Sequence, residues 1–220
     1  MIHFSFFQFA DLARHRRPET LERKIEQILS AKEDSFPSYL HYRLIRDWVK
    51  SYLSHAMDAS ILKDAVDYLE SFSSPSGFMR STVPNCLLAI QLIQKMKMPS
   101  FVGITFSAGE KIDLVVGGIH VHVVTDATLS WLDADGVEHL GTIKTKFKKG
   151  NFPRESAEMA ACLLFKAVKE AHPKAIVDPL LCLCFDPFRQ RFVPAMNMDR
   201  NMARAEEIAR VIASRGDLAA

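Results

Sequence analysis

The apolar pattern of this chain changes its period twice, and this change limits the possible folds more than any other feature. Up to about residue 100, apolar residues recur every three or four positions, as on the buried face of an amphipathic helix. From Glu110 to Phe147 they alternate with polar residues, which is the pattern of a strand with one buried face. Beyond Phe147 the helical period returns. The sequence therefore predicts a sheet built from the middle of the chain and flanked by helices.

Helix signals lie on both sides of the predicted sheet. Pro18 suits the first turn of a helix because its missing amide is not needed there, and Asp58 is a good N-cap. Periodicity leaves residues 1–10 open between strand and helix. The predicted helices span about residues 18–31, 38–56, 58–72, 84–97, 154–171 and 199–214.

Turn signals divide the middle of the chain into strands. Gly117 and Gly118 mark a tight turn, and Asp135-Gly136 marks the next hairpin. The predicted strands span about residues 101–106, 112–116, 119–125, 137–147, 180–185 and 191–194. Counting the three strands of the meander (112–116, 119–125 and 137–147) and the apolar strand 180–185, the order after the N-terminal helices is helix, three strands, helix, strand, helix. This order predicts an α/β fold with a mixed sheet that contains an antiparallel three-strand meander.

The Ser-, Pro- and Gly-rich segment 71–77 is the best candidate for a boundary. It predicts an N-terminal helical region over residues 1–77 and an α/β core over residues 78–220. The segment is short for a linker, so the two parts are free to share one core.

The composition is that of a globular protein with a sizeable core, since 48% of the 220 residues are hydrophobic and 25% are charged. The net charge of +2 means that any basic surface is a local patch. The apolar N-terminus has no preceding basic residues, and no segment is long enough to span a bilayer. We therefore expect a cytoplasmic protein with no membrane contact. The four cysteines, which lie in apolar runs without zinc-site spacing, are expected to be reduced core thiols: Cys86, Cys162, Cys182 and Cys184.

An acid and a lysine on neighbouring strands form the arrangement that most suggests chemistry. Alternation places Asp126 on the same strand face as His120 and His122, and a hairpin would bring that face to Lys144 of the next strand. Metal-assisted phosphodiester hydrolysis uses such a pair: Asp126 would bind Mg²⁺ or Mn²⁺, and Lys144 would orient the attacking water or stabilise developing charge. The alternatives are a surface salt bridge, or Asp126 simply capping a strand end.

Two further groups of residues have an interpretation as binding sites. His120, His122 and Asp126 are residue types that bind transition metals, although Asp126 lies four residues beyond His122 on an extended chain. The alternative is the polar, exposed face of a strand. A basic run at the end of the predicted sheet is expected either to contact nucleic-acid phosphates or to be solvated: Lys144, Lys146, Lys148, Lys149 and Arg154.

The predicted order of elements, with an acid ending one strand and a lysine on the next, resembles the core of the PD-(D/E)XK nuclease superfamily. The stretch Gly141-Thr-Ile-Lys144 also resembles a pattern in uncharacterised bacterial proteins. The resemblance covers about residues 84–186 and implies a restriction-endonuclease-like core. In it, Thr125-Asp126 would match the Pro-Asp element and Lys144 the motif lysine.

The chain departs from that superfamily at its other acids. The acid two residues before the motif lysine is Thr142 here, and the predicted helix 84–97 has no acid at all. The resemblance implies that Glu155 and Glu158 on the following helix are substitute metal ligands. The alternative for these two glutamates is favourable charge in the first helical turn.

Two functions follow from these residues. The first is a Mg²⁺- or Mn²⁺-dependent nuclease, a hydrolase acting on DNA or RNA. The second is a non-catalytic relative that binds nucleic acid, or that binds a protein through its N-terminal helices.

Overall fold

The computed structural model describes residues 3–30, 42–72, 77, 79–96, 103–147 and 152–216. The predicted nucleic-acid contacts Lys148 and Lys149 lie outside these ranges. The described residues form seven α-helices and eight strands. The helices are α1 (Phe6–Asp11), α2 (Pro18–Leu29), α3 (Arg43–Ser54), α4 (Ala59–Glu70), α5 (Met79–Gln94), α6 (Arg154–Ala171) and α7 (Met198–Gly216).

The eight strands form two sheets. They are β1 (His3–Ser5), β2 (Thr105–Ala108), β3 (Lys111–Val116), β4 (Ile119–Val124), β5 (Ala127–Leu132), β6 (Glu138–Thr145), β7 (Ile176–Asp186) and β8 (Arg191–Pro194). The larger sheet has the order β2-β5-β6-β7-β8, and the smaller has the order β1-β4-β3. In the larger sheet β6 and β7 are parallel and the other neighbours are antiparallel. The prediction of an α/β fold with a mixed sheet is confirmed.

The predicted pairing of the strand that ends at residue 125 is wrong. That strand, β4, pairs with β3 and in parallel with β1, so it belongs to the smaller sheet. The antiparallel neighbour of β6 is β5, which we did not predict. The chain changes sheets at two residues: the Thr125 amide donates to the Glu110 carbonyl, and the Asp126 amide donates to the Ile143 carbonyl, each at 2.8 Å.

The larger sheet has a hydrophobic core on each face. One face packs against α3, α4 and α5 through Ala127, Leu129, Ile143, Leu183 and Phe185. The other face packs against α6, which also contacts α1, α7 and the inner face of the smaller sheet. Helices α1 and α2 contribute to the second core, and α3 and α4 to the first. The predicted regions 1–77 and 78–220 therefore share both cores.

The helix predictions agree closely with the described residues. Helix α6 has the predicted bounds, and Asp58 caps α4 by accepting a hydrogen bond from the Ser60 amide at 2.9 Å. Helix α5 begins at Met79, five residues before the predicted start at Pro84. None of the helices in the described ranges is both long and apolar enough to cross a membrane.

Candidate functional site

Asp126 and Lys144 meet where β5 begins and β6 ends. Antiparallel pairing places Ala127 opposite Ile143, so the residues just outside this pair are also neighbours. The Lys144 ammonium donates a hydrogen bond to Oδ1 of Asp126 at 3.0 Å. The sequence placed these two residues together, although it assigned Asp126 to the wrong strand.

The surroundings of this pair are closed. Oδ2 of Asp126 accepts a hydrogen bond from the Thr145 amide at 2.6 Å, so both carboxylate oxygens are bonded by the chain itself. Only 3% of the Asp126 side chain and 5% of the Lys144 side chain are exposed. The pair is therefore a buried ion pair whose acid presents no free oxygen to solvent.

Electrostatics at Lys144 are set first by this burial. Loss of solvation lowers the pKa of the Lys144 ammonium, and the Asp126 carboxylate acts in the opposite direction. Arg46 and Lys50 of α3 lower the pKa further by like-charge repulsion. The contact with the Asp126 carboxylate is thus the main interaction that stabilises the charged form of Lys144.

A second acid–base pair, in which the acid is buried and the base is partly exposed, lies two strands away and was missed from the sequence. Asp186 ends β7 and is 1% exposed, and Arg191 begins β8 with its Nη2 3.3 Å from Oδ2 of Asp186. Arg191 also donates to the Phe152 carbonyl at 2.6 Å. Burial raises the pKa of Asp186, against the opposing effect of Arg191. The sequence signal was an acid and an arginine on either side of a short turn in a predicted hairpin.

The position of the expected second acid is held by Thr142. Its hydroxyl donates to the Ala127 carbonyl at 2.8 Å, and the residue is 1% exposed. Within the described residues, no three His, Cys, Asp or Glu side chains are grouped so as to hold a metal ion. Mg²⁺ and Mn²⁺ prefer several oxygen ligands, and this place offers one carboxylate that is already bonded twice. At this place Asp126 is therefore an acid whose two oxygens are both engaged by the chain, with a threonine at the position of the second acid.

The histidine hypothesis is corrected by the sheet topology. His122 lies directly opposite Asp113 of β3, and its Nδ1 is 2.8 Å from Oδ1 of Asp113. Both side chains are exposed, at 57% and 80%. Asp126 instead contacts Lys144 of the larger sheet, so His120, His122 and Asp126 do not form one ligand set.

Glu155 and Glu158 lie in a different place, an open cleft of about 910 Å³ at the start of α6. Glu155 pairs with Arg16 at 3.0 Å, and Glu158 pairs with Arg154 at 2.8 Å. Neither Asp126 nor Lys144 lines this cleft. The expected catalytic and metal-binding residues are thus divided between a closed pair and an open cleft.

The predicted basic contacts are divided in the same way. Arg154 lines the cleft with 72% of its side chain exposed. The Lys146 ammonium instead lies over two aromatic rings, 4.2 Å from the centre of Phe7 and 5.3 Å from that of Phe152. These cation–π contacts hold the Lys146 ammonium against Phe7 of α1 and against Phe152.

Most of the cleft comes from residues that the sequence reasoning did not single out. It lies between the 3₁₀ turn after α1, the first turn of α6 and one face of α7. Five arginines and three glutamates line it, together with small and amide side chains: Ala13, Arg16, Arg154, Glu155, Glu158, Asn197, Arg200, Asn201, Ala203, Arg204, Glu207 and Arg210. The sequence pattern that could have indicated this cleft is the recurrence of charged residues every three or four positions along the predicted C-terminal helix.

Comparison of the chain with models of protein families, with curated proteins and with solved structures found no match.

Proposed function

We propose that this protein is a non-catalytic, nucleic-acid-binding relative of the PD-(D/E)XK nucleases. The observation that carries the non-catalytic part is the closed state of Asp126. Its two oxygens are bonded to Lys144 and to the Thr145 amide, and the neighbouring acid position is Thr142. Because Asp126 is buried and each of its oxygens already accepts a hydrogen bond from the chain, it is shielded from a metal ion and from a phosphodiester in solvent.

The order and direction of elements support the relationship. Helix α5, the antiparallel strands β2, β5 and β6, helix α6 and the parallel strand β7 follow one another as the resemblance implies. The β3–β4 hairpin is an insertion between β2 and β5 that joins the smaller sheet. The acid at the start of one strand and the lysine near the end of the next keep their contact, which is what remains of the catalytic arrangement.

Two observations favour nucleic acid over a protein as the ligand. The apolar faces of α3 and α4 are packed inside the chain, with Ile45, Leu53 and Leu62 at most 1% exposed. Among the described residues of these two helices, Tyr68, at 42%, is the large hydrophobic side chain left exposed. The cleft beside α6 is instead open and has more arginines than glutamates. Arginine is well suited to phosphate because its planar guanidinium donates two parallel hydrogen bonds.

The test is a pair of measurements on the wild-type protein. Binding is measured by fluorescence polarisation with labelled single-stranded DNA, duplex DNA and RNA at low salt. Cleavage of the same substrates is measured with Mg²⁺ and with Mn²⁺. We expect binding that weakens with salt, and no metal-dependent cleavage.

Two results would overturn the proposal. Absence of binding to all three substrates at low salt would remove the nucleic-acid part. Metal-dependent cleavage that disappears in a folded Lys144→Met variant would establish the nuclease instead. A variant that keeps the circular dichroism spectrum of the wild type meets the folding condition.

A further inference from the structure

We propose that the cleft between α6 and α7 binds the phosphodiester backbone of nucleic acid through Arg200 and Arg210. This inference rests on the proposed function and assigns to it a binding surface that the sequence did not indicate. Three of the five arginines that line the cleft are in ion pairs with its glutamates. Arg204 pairs with Glu207, as Arg16 does with Glu155 and Arg154 with Glu158.

Arg200 and Arg210 take no part in these ion pairs. Both are exposed and line the cleft, and neither has a carboxylate partner among the described residues. The three glutamates of the cleft are already paired with other arginines. The cleft therefore carries two positive charges that its own acids do not neutralise, and an anionic ligand would do so.

The spacing of these two arginines indicates a ligand with several phosphates. They are ten residues apart on α7, which corresponds to about 15 Å along the helix axis. Charged residues at positions 200, 204, 207 and 210 recur every three or four residues and so share one side of the helix. One phosphate cannot reach both ends of this row, but successive phosphates of a strand can.

The other lining residues indicate that the ligand is recognised by its backbone and not by its bases. The side chains around the cleft are alanine, asparagine, arginine and glutamate, and none of these offers an aromatic face on which a base could stack. Contacts to phosphate position a nucleic acid without selecting its sequence. We therefore expect binding with little sequence preference.

The paired arginines are available to strengthen this contact. The Arg16–Glu155 pair is 67% and 48% exposed, and exposed ion pairs of this kind contribute about 0–1 kcal/mol. A phosphate is thus able to replace Glu155 as the partner of Arg16 at little cost. Arg204 is held more firmly, because it is 19% exposed and also donates to the His15 carbonyl.

The experiment compares two double variants that remove the same charge. Arg200→Gln/Arg210→Gln removes two charges from the cleft. Lys63→Gln/Arg80→Gln removes two exposed charges from α4 and α5, on the other side of the larger sheet. Dissociation constants are measured for single-stranded DNA, duplex DNA and RNA between about 50 and 200 mM salt, the range over which phosphate contacts are lost.

The expected result is a loss confined to the cleft variant. Two lost phosphate contacts should reduce the slope of log K against log salt by about 1.4 to 1.8, and weaken binding by about tenfold or more at 100 mM salt. An Arg200→Lys/Arg210→Lys variant keeps the charge and should recover part of the affinity. The three substrates show which source of phosphodiester the cleft accepts.

Failure of this inference is distinct from failure of the proposed function. If the wild type binds and the two Gln double variants weaken binding equally, the cleft is not the binding surface, although the nucleic-acid function stands. If the wild type binds none of the three substrates, the proposed function itself is wrong. Both Gln variants replace exposed side chains, so circular dichroism and the melting temperature should match those of the wild type.

Discussion

Lys144 and Asp126 lie 3.0 Å apart, and only 5% and 3% of their side chains are exposed. Moving two charges out of water costs several kcal/mol for each ion, and their attraction offsets this cost only where further hydrogen bonds complete the site. Here the Thr145 amide supplies one such bond to Asp126. Because each charge depends on the other, removal of one partner should be worse than removal of both.

The first prediction concerns Lys144→Met. This substitution leaves a buried carboxylate without its counter-charge, and we expect the free energy of unfolding to fall by about 3–5 kcal/mol. The double variant Asp126→Asn/Lys144→Met should lose less, because the amide oxygen of asparagine still accepts from Thr145 and carries no charge. Urea denaturation of the wild type and both variants measures these differences.

The control for this prediction is an exposed ion pair on α6. Lys166 pairs with Glu170, and their side chains are 34% and 49% exposed. Lys166→Met should change the free energy of unfolding by about 0.5 kcal/mol or less, as is usual for exposed pairs. A Lys144→Met variant as stable as Lys166→Met would mean that Asp126 is not a buried charge.

The second prediction concerns the acid that the resemblance expects at position 142. Thr142→Asp places a second carboxylate on the face of β6 that carries Lys144, close to Asp126. Without metal it should destabilise the protein by a few kcal/mol, because it buries an unpaired charge and removes the hydrogen bond to the Ala127 carbonyl. Addition of Mn²⁺ should then raise the melting temperature, since two acids are able to share an ion.

Wild-type protein and Thr142→Asn are the controls for this experiment. Neither should gain stability from Mn²⁺, because each keeps a single carboxylate at this place. Differential scanning calorimetry with EDTA and with Mn²⁺ makes the comparison. A Thr142→Asp variant that is destabilised but indifferent to Mn²⁺ would argue against a nuclease ancestry for this pair of strands.

The sequence predicted those parts of the fold that depend on local pattern. Helix α6, the Asp58 cap and the turn at Gly117-Gly118 follow from periodicity and from residue types that favour caps and turns. Both of these glycines have a positive φ, at 53° and 82°, as a two-residue hairpin turn requires. Such signals lie within a few residues of one another and need no knowledge of distant partners.

The choice of strand partners could not be predicted in the same way. Residues 119–124 and 127–132 both alternate, but one strand pairs with β3 and the other with β6. Only two residues, Thr125 and Asp126, separate these strands. Thr125 stays with the smaller sheet through its hydrogen bonds with Glu110, which lies 15 residues earlier in the chain. Alternation shows which residues share a face, and it carries no information about the partner of that face.

The burial of the candidate site was also beyond the sequence. The contact of Asp126 with Lys144 was expected from a strand pairing that proved wrong, and whether the contact is open depends on elements far along the chain. Those elements include α6 and β7, which complete the core on this face of the larger sheet. For the same reason the cleft at α7 was missed, since three separate segments form it.

The third prediction concerns the four buried thiols. Burial raises the pKa of Cys86, Cys182 and Cys184 to about 12 and that of Cys162 to about 11. For a pKa of about 12 in place of 9, the reactive thiolate is about a thousandfold rarer at pH 8. We therefore expect iodoacetamide to label the folded protein very slowly, and to label four thiols per chain in guanidinium.

The sign of the pH effect follows from the same pKa values. Below pH 9 the thiols are protonated in both the folded and the unfolded state. They therefore add no pH dependence to the free energy of unfolding in that range. As the pH rises above 9 the unfolded chain loses protons first, and the folded state is progressively disfavoured. A Leu132→Cys variant, at a position 67% exposed, provides a reactive control. Rapid labelling of the native wild-type chain would contradict the burial of the thiols.

The fourth prediction concerns Gly141, where the register of β6 and β7 shifts. The pairing passes from Leu140 with Val177 to Thr142 with Cys182, so β7 bulges beside the glycine. A Cβ at position 141 would lie 2.6 Å from the Leu181 carbonyl oxygen and also overlap the Leu181 Cβ. Because backbone atoms are involved, Gly141→Ala should destabilise the protein by about 1–3 kcal/mol or more.

Gly136 is the matched control because its requirement is different. It has a φ of 76° in the β5–β6 turn, and a Cβ there would meet nothing within 4 Å. Gly136→Asn should be nearly neutral, since asparagine tolerates left-handed backbone, whereas Gly141→Asn should be at least as harmful as Gly141→Ala. Thermal unfolding of the three variants makes the comparison. A neutral Gly141→Ala would mean that the close approach of Leu181 to Gly141 does not fix the register of β6 and β7, which places Lys144 beside Cys184.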